Sequence, residues 1–352
     1  MSDIVSATAD YEGWLGRAIP LVAEDLVVKH AELASSELRF LRGTYYFWLR
    51  QTAALLPAVL AAPPVPLVGD LHVENFGTWQ DRHGVRRWGV NDLDELGRGP
   101  YTADLVRLAT SCVLCPHIAL APADICRILL ASWLEARPGH AVALDDAHHL
   151  RQLLPPPRSP ERYYATLTAG APAKVPAPIA AAVADSVDGP WHPSWHARRA
   201  GTGSLGHARY VGVDGHEARE AKQLGPASAE WAGVAGFTAD PALYDQLQHA
   251  LRGPWPASRI DGWQLRRLAP DVLRIEIDAL ARHDVERVLR SMAQAVADVH
   301  GVDAAALATA RADASSRPPG WLADAVETMA SDTRVAWRDW ARPVRLGEDG
   351  GG

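Results

Sequence analysis

Residues 67–79 read LVGDLHVENFGTW: an apolar run, then Asp70, His72, Glu74 and Asn75 within six positions. An apolar run of this kind reads as a buried strand, and Gly69 at its end lets the backbone turn sharply, bringing Asp70 to the mouth of a cleft. The next block, TWQDRHGVRRWGVNDLDE (78–95), reads as a hairpin turning at His83-Gly84. Its returning arm, Trp88 to Val90, delivers Asn91, Asp92, Asp94 and Glu95 to a second strand end. Carboxylates and an amide oxygen gathered from two strand ends suit a hard divalent cation such as Mg²⁺. They also leave one carboxylate free to act as a base. Any one of these residues alone would suit a polar turn, with Asp70 and Asp92 capping loops. The order of Asp, Asn, hairpin and Asp favours a site.

The rest of the chain bounds the possibilities. With 352 residues it has room for two lobes or one large domain, and 48% apolar residues exclude wholesale disorder. A net charge of −7 and the lack of a basic stripe argue against a nucleic-acid-binding body. No run approaches eighteen uncharged apolar residues, and MSDIVSATADYEGW lacks a basic segment followed by an apolar one. Neither a membrane span nor a signal peptide is expected, and the expected location is the cytoplasm. Cys112 and Cys115 form a C-x-x-C within the helically spaced DLVRLATSCVLC, with no second pair, so they are expected in the core. GPWHPSWHARR (189–199) holds two of the 13 tryptophans and suits either packing under a loop or a wall of a substrate pocket.

Residues 13–57 have helical spacing, which Pro63, Pro64 and Pro66 end. VPLVGD (65–70) is then a strand, and 103–135 is helical with breaks near Pro116 and Pro122. Residues 136–200 form a connecting or helical-hairpin region. A glycine-rich turn at 201–206 precedes a strand, ARYVGV, an Asp214-Gly215 turn, and a second strand ending near Lys222. Helices are expected at 228–237, 241–252 and 284–312, a strand at 262–269, and a frayed tail at 347–352. The chain carries no internal repeat.

The order Gly69-Asp70-Leu71-His72, Asn75, hairpin, Asn91-Asp92 and Asp104-Leu105 resembles the catalytic and metal loops of the protein-kinase-like superfamily, especially aminoglycoside and choline phosphotransferases. Val68 stands where that pattern has a leading His. The resemblance implies that Asp70 is the catalytic aspartate, that Asn75 and Asp92 hold Mg²⁺, and that Asp104 braces the loop. FLRGTYYFW, GDLHVENFG and VNDLDELGRGPYTADLVRLATS further resemble signature blocks of a bacterial family of unknown function, DUF2252.

A kinase-like fold also needs a nucleotide lobe, and residues 1–69 read as helices without a glycine-rich hairpin. The candidate follows the catalytic loop: Gly201-x-Gly203-Ser204-x-Gly206, with Lys222 at the position of the third-strand lysine that contacts phosphates. The expected fold is therefore α+β, a two-lobed, circularly permuted kinase-like fold. Residues 1–195 would form a mostly helical large lobe, 196–270 a small β-rich nucleotide lobe, and 271–352 helices returning to the large lobe. Glu230 is the expected partner of Lys222. MgATP would lie between the lobes, its adenine near Arg266 to Ala269, with Asp70 taking the proton of an acceptor hydroxyl. His72, Glu74, Asp94 and Glu95 would surround this centre, with His72 supporting the loop. The expected activity is ATP-dependent phosphate transfer to a small-molecule acceptor. AMP transfer, protein kinase activity, a non-catalytic nucleotide-binding module and a metal hydrolase are the competing readings. The oligomeric state stays open.

Overall fold

The computed structural model describes residues 3–240 and 242–348, with side chains through 342. The chain opens with five helices: α1 (Ile4–Ala18), α2 (Ala23–Ser35), α3 (Glu37–Gly43), α4 (Tyr45–Leu55) and α5 (Pro57–Leu60). The prolines then force extended backbone, and four strands follow: β1 (Pro64–Leu67), β2 (Phe76–Gln80), β3 (Arg86–Val90) and β4 (Gly97–Pro100). Next come α6 (Tyr101–Val113), α7 (Pro122–Glu135), β5 (Val142–Ala143), α8 (His148–Leu153), α9 (Pro160–Leu167) and α10 (Ala177–Ala184). The glycine-rich stretch lies between β6 (Ser194–Ala197) and β7 (Arg209–Asp214), and β8 (Glu217–Gln223) follows. After these come α11 (Ser228–Ala232), β9 (Thr238–Ala239), α12 (Leu243–Ala250), β10 (Ala257–Ile260) and β11 (Trp263–Arg267). The chain closes with α13 (Arg282–His300), α14 (Ala304–Ser316) and α15 (Trp321–Glu348).

The architecture is α+β. One antiparallel sheet of five strands runs in the order β10-β11-β8-β7-β6, and two three-stranded sheets run β1-β4-β9 and β2-β3-β5. The hairpin expected at His83-Gly84 forms, with Phe76 opposite Val90 and Gly84 at φ 74°. The largest hydrophobic core gathers α6, α7, α13 and α15 against β1 and β3. α6 is the axis of this body, with every residue from Tyr101 to Cys112 buried. Cys112 and Cys115 are free thiols packed in that core, as their helical spacing implies.

Several boundaries differ from the sequence reading. Helix α1 starts at Ile4 because Asp3 caps it, accepting the Ser6 amide at 3.0 Å. The helix expected at 228–237 stops after Ala232, where Gly233 takes the left-handed conformation at φ 64°. The helix expected at 284–312 is two helices, the second capped by Asp303, which accepts the Ala306 amide at 3.1 Å. β10 lies where no element was expected, and α15 is one of the helices expected in 271–352, its bounds not foreseen. Residues 349–352 of the tail fall outside the described residues. Leu243, Tyr244 and Leu247 of α12 belong to the large core, and β9 pairs with β4, so part of 196–270 packs with the helical body.

The five-stranded sheet is covered on both faces. Ala221 and Leu265 face α10 together with Trp191, Trp195 and Trp263. The tryptophan-rich stretch therefore packs on the face opposite Lys222, since neighbouring strand residues point to opposite sides, and it is no wall of the cleft described below.

Candidate active site

Gly69 ends the segment after β1 at φ 88°, and a Cβ there would lie 2.3 Å from the Glu95 carbonyl oxygen. Only glycine permits both the conformation and the approach. The turn is braced by Asp104 on α6, which accepts the Val68 amide at 2.8 Å and the Gly69 amide at 3.0 Å. His300 of α13 completes the brace. Its Nδ1 accepts the indole N–H of Trp133 at 3.1 Å, so Nε2 carries the proton and donates to Asp104 at 3.1 Å. Asp104 and His300 are fully buried.

Asp70 then projects into a cleft of about 740 Å³, open solvent included. Its carboxylate pairs with Arg107 of α6, whose Nε donates at 3.0 Å. Arg107 is itself held by the Leu41 carbonyl at 2.8 Å and lies over the rings of Tyr45 and Trp48. Burial lifts the Asp70 pKa, and Arg107 only partly offsets that lift. Asn75 donates from Nδ2 to the Asp70 carbonyl at 2.6 Å, and its own carbonyl accepts the Asn91 amide at 3.0 Å. The two strand-end loops are thus tied together. The Glu74 amide donates to His72 Nδ1 at 3.2 Å, and Glu74 pairs with Arg42. Burial first, then Arg42 and Arg107, hold the His72 pKa far below its ordinary value, so the imidazole supports the loop as a neutral acceptor.

The glycine-rich turn forms the opposite wall. Gly201, Gly203 and Ser204 line the same cleft as Asp70, Asn75, Asp92, Asp94 and Glu95. A Cβ on Gly203 would lie 3.5 Å from Asp70 Oδ2, so the turn sits directly over the aspartate. Gly206 turns the chain into β7 at φ 99°. Arg209 braces the turn, donating to Ser204 Oγ at 2.7 Å. Lys222 on β8 pairs with Asp94 and lies 4.0 Å from Asp92 Oδ1. Glu230 is exposed and has no part in this pairing. Asp94 stands in place of the expected partner, Glu230.

Residues 21–136 match the model of a family described as an uncharacterized protein conserved in bacteria (DUF2252). No curated protein and no solved structure matches the chain. The DUF2252 match covers about a third of the chain, from α2 to α7, and takes in Asp70, Asn75, Asp92, Asp104 and Arg107. It ends before the glycine turn and Lys222.

The donor set fits a hard cation. Asn75 gives its Nδ2 to the Asp70 carbonyl, which leaves Oδ1 for a ligand. Burial works to raise the Asp92 pKa, but Lys222, Arg266 and Arg209 outweigh it and bring it down to about 2. Asp92 is therefore ionised at any working pH. Asp94 Oδ1 is buried with no hydrogen-bond partner. Among the described residues no group of three or more His, Cys, Asp or Glu is placed to hold a metal ion. The oxygens of Asn75, Asp92 and Asp94 are too few to enclose a cation by themselves, and a hard cation there would need further oxygens from a ligand.

Beyond Lys222, the same sheet face carries Glu220, bound by Arg198, by Arg209 at 2.9 Å and by Arg266 at 2.8 Å. Farther on, Val211, Val213, Ala218 and Leu268 pack beneath Tyr164 and Leu167 of α9. Within the stretch from Arg266 to Ala269, expected to lie near adenine, Leu268 is covered by α9. Tyr11, His207, Leu224 and Pro226 also line the cleft. Sequence reasoning assigned none of these four a role. It also passed over Arg42 and Arg107, although both lie inside the DUF2252-like blocks FLRG and DLVRLATS.

Glu95 accepts the Ser228 amide at 2.8 Å and the Ser228 hydroxyl at 2.6 Å. Burial raises its pKa from 4.5 to about 7, against the opposing pull of those hydrogen bonds. A raised carboxyl stabilises the fold in its protonated form: the contribution is full below pH 4.5 and is lost as pH rises through 7. Glu95→Gln should therefore gain melting temperature relative to the parent protein as pH goes from 5 to 8. A melting-temperature difference that stays constant across that range would contradict this assignment.

No helix among the described residues is long and apolar enough to cross a membrane.

Proposed function

We propose that this protein is a circularly permuted, kinase-like phosphotransferase that moves the γ-phosphate of ATP to a hydroxyl of a small-molecule acceptor. The observation that carries this reading is the placement of Gly203 over Asp70, in a turn joining the first two strands of a sheet whose third strand bears Lys222. Protein kinases use the same parts: a glycine-rich loop over the phosphates, a lysine on the third strand, and an aspartate and asparagine in the catalytic loop. The chain order differs, with the glycine turn following the catalytic loop, so the fold would be permuted.

In this reading the amides of the glycine turn and Lys222 hold the phosphates. Asn75 and Asp92 would hold Mg²⁺, which neutralises charge that develops on the phosphoryl oxygens. Asp70 orients the acceptor hydroxyl and takes its proton, while Arg107 fixes the carboxylate's direction. Asp104 and His300 keep the loop that carries Asp70 in place. Lys222 has its pKa lowered to about 8 by burial, against the opposing pull of Asp92. It is therefore an ammonium at neutral pH, and a nucleotide must share or displace its contact with Asp94.

The test is MgATP titration by calorimetry. Replacing Lys222 with Met keeps the volume and removes one charged contact to phosphate, a contact of roughly 1.5–3 kcal/mol. Affinity should fall about 10- to 100-fold. Unchanged affinity in the folded variant would remove the nucleotide role of this hairpin.

A second reading is favoured by α9, which covers Leu268 in the Arg266-to-Ala269 stretch. A base on the Tyr11, His207 and Pro226 side would reverse the nucleotide and present its α-phosphate to the acceptor, giving AMP transfer. A product heavier by about 80 mass units marks phosphate, and a far heavier adduct marks AMP.

A further inference from the structure

The chain has 35 lysine and arginine residues, of which only Lys29, Lys174 and Lys222 are lysine. Lys174 is exposed, but Lys29 and Lys222 are 3% and 4% exposed. Burial of a lysine normally requires a partner, and Lys222 has one in Asp94. Lys29 has none: no hydrogen bond or ion pair among the described residues reaches its ammonium group.

Its position on α2 shows where it faces. Leu26, one turn earlier, lies against Gly206, and a Cβ there would meet Leu26 Cδ2 at 2.6 Å. Leu33, one turn later, lies against Gly43, whose next neighbour is Thr202 in the glycine turn. Residues three and four apart share a helix face, so Lys29 points between these contacts, toward the underside of the turn. Its charge acts on His207, whose pKa is brought down to about 4 by burial first and Lys29 second. Burial lowers the Lys29 pKa, and Glu12 first, then Asp70 and Glu95, pull the other way. Asp70, Glu95 and His207 line the cleft.

The charge balance points the same way. Lys222 faces Asp94, Arg42 faces Glu74, Arg107 faces Asp70, and Arg198, Arg209 and Arg266 share Glu220. Each of these cations already has a carboxylate. Among the buried lysines and arginines of the described residues, Lys29 alone has no carboxylate within ion-pair distance, and a buried ammonium is costly unless something compensates it.

We propose that Lys29 is a polyphosphate-binding residue of this cleft, reaching from α2 beneath the glycine turn to neutralise a phosphate group from the side opposite Lys222. The N-terminal helices would then be part of the nucleotide site, as well as part of the scaffold. This rests on the phosphotransferase reading for the identity of the ligand, whereas the anion site itself can be tested apart from it.

The experiment titrates MgATP and magnesium tripolyphosphate into the parent protein and Lys29→Met by calorimetry. Both ligands should bind at least tenfold more weakly to the variant. The ligand-free variant should melt no lower than the parent, because an uncompensated buried charge has gone. A parallel measurement needs no Lys29 variant: the parent labelled with ε-¹³C lysine gives three lysine signals, assigned by elimination through Lys174→Arg and Lys222→Arg. Tripolyphosphate should shift the Lys29 signal and leave that of Lys174 in place. An unmoved Lys29 signal, or MgATP affinity unchanged within twofold in Lys29→Met, overturns the role of Lys29 and leaves the phosphotransferase reading standing. Lys29-dependent binding of tripolyphosphate without any binding of ATP overturns the nucleotide reading alone. Binding of neither ligand to the parent overturns both.

Discussion

Replacing Asp70 with Asn should leave MgATP affinity within a few-fold of the parent protein and lower turnover by roughly 10²- to 10⁴-fold, the range for losing a positioned base. The substitution conserves size and removes only the charge that accepts the acceptor's proton. The surroundings tolerate it, because Arg107 keeps the Leu41 carbonyl at 2.8 Å and its place over Tyr45 and Trp48. Asn75 is tied to the backbone carbonyl of residue 70, not its side chain, so the metal ligands should stay in position. Calorimetry and a steady-state assay of ADP release separate the two effects. Loss of MgATP binding together with turnover would make Asp70 a metal ligand or a loop cap, and retention of both would end its assignment as the base.

The largest effect on stability is expected at Asp104. Its carboxylate accepts two backbone amides and the His300 Nε2 proton in a fully buried setting. Asp104→Ala orphans the amides of Val68 and Gly69, each at roughly 1–3 kcal/mol, and leaves His300 without its acceptor. A loss of about 3–5 kcal/mol in denaturant unfolding is expected. The loop bearing Asp70 should loosen as well, so turnover should fall even where the variant is folded. A change below about 1 kcal/mol would mean that the Gly69 turn holds its shape without this brace.

These two residues were legible in the sequence for different reasons. Asp70 and Asp92 stand out because each follows an apolar strand that ends in a turn, with Asn75 five residues after Asp70, and the hairpin between them has its own glycine. The Asp214-Gly215 hairpin announces itself in the same way, and β7 and β8 form around it. Asp104 was assigned by resemblance alone, since a lone aspartate at a helix start has several ordinary uses. Except for the glycine turn facing Asp70, contacts between segments far apart in the chain were not legible. Glu230 stood at a sensible helical distance from Lys222, yet α11 ends at Gly233 and Asp94, 128 residues away, makes the contact. The covering of Leu268 by α9 was hidden because α9 is a short helix in a proline- and alanine-rich stretch whose packing partner lies about 100 residues on. The bounds of α15 were not legible, although Leu322, Val326, Met329 and Thr333 repeat at helical spacing, because alanines and charges dilute the pattern. Lys29 looked like one charge on an amphipathic helix, and only its burial beside the glycine turn sets it apart.

Phosphate transfer is most directly tested by ³¹P NMR of ATP and Mg²⁺ incubated with the protein and a panel of small hydroxylic acceptors, with Asp70→Asn as the control. The parent protein should convert ATP to ADP with a matching phosphomonoester, or inorganic phosphate where no acceptor serves, and the variant should be slower by at least 10²-fold. ATP left unchanged across the panel, or consumed to AMP-bearing products and pyrophosphate, would contradict γ-phosphate transfer.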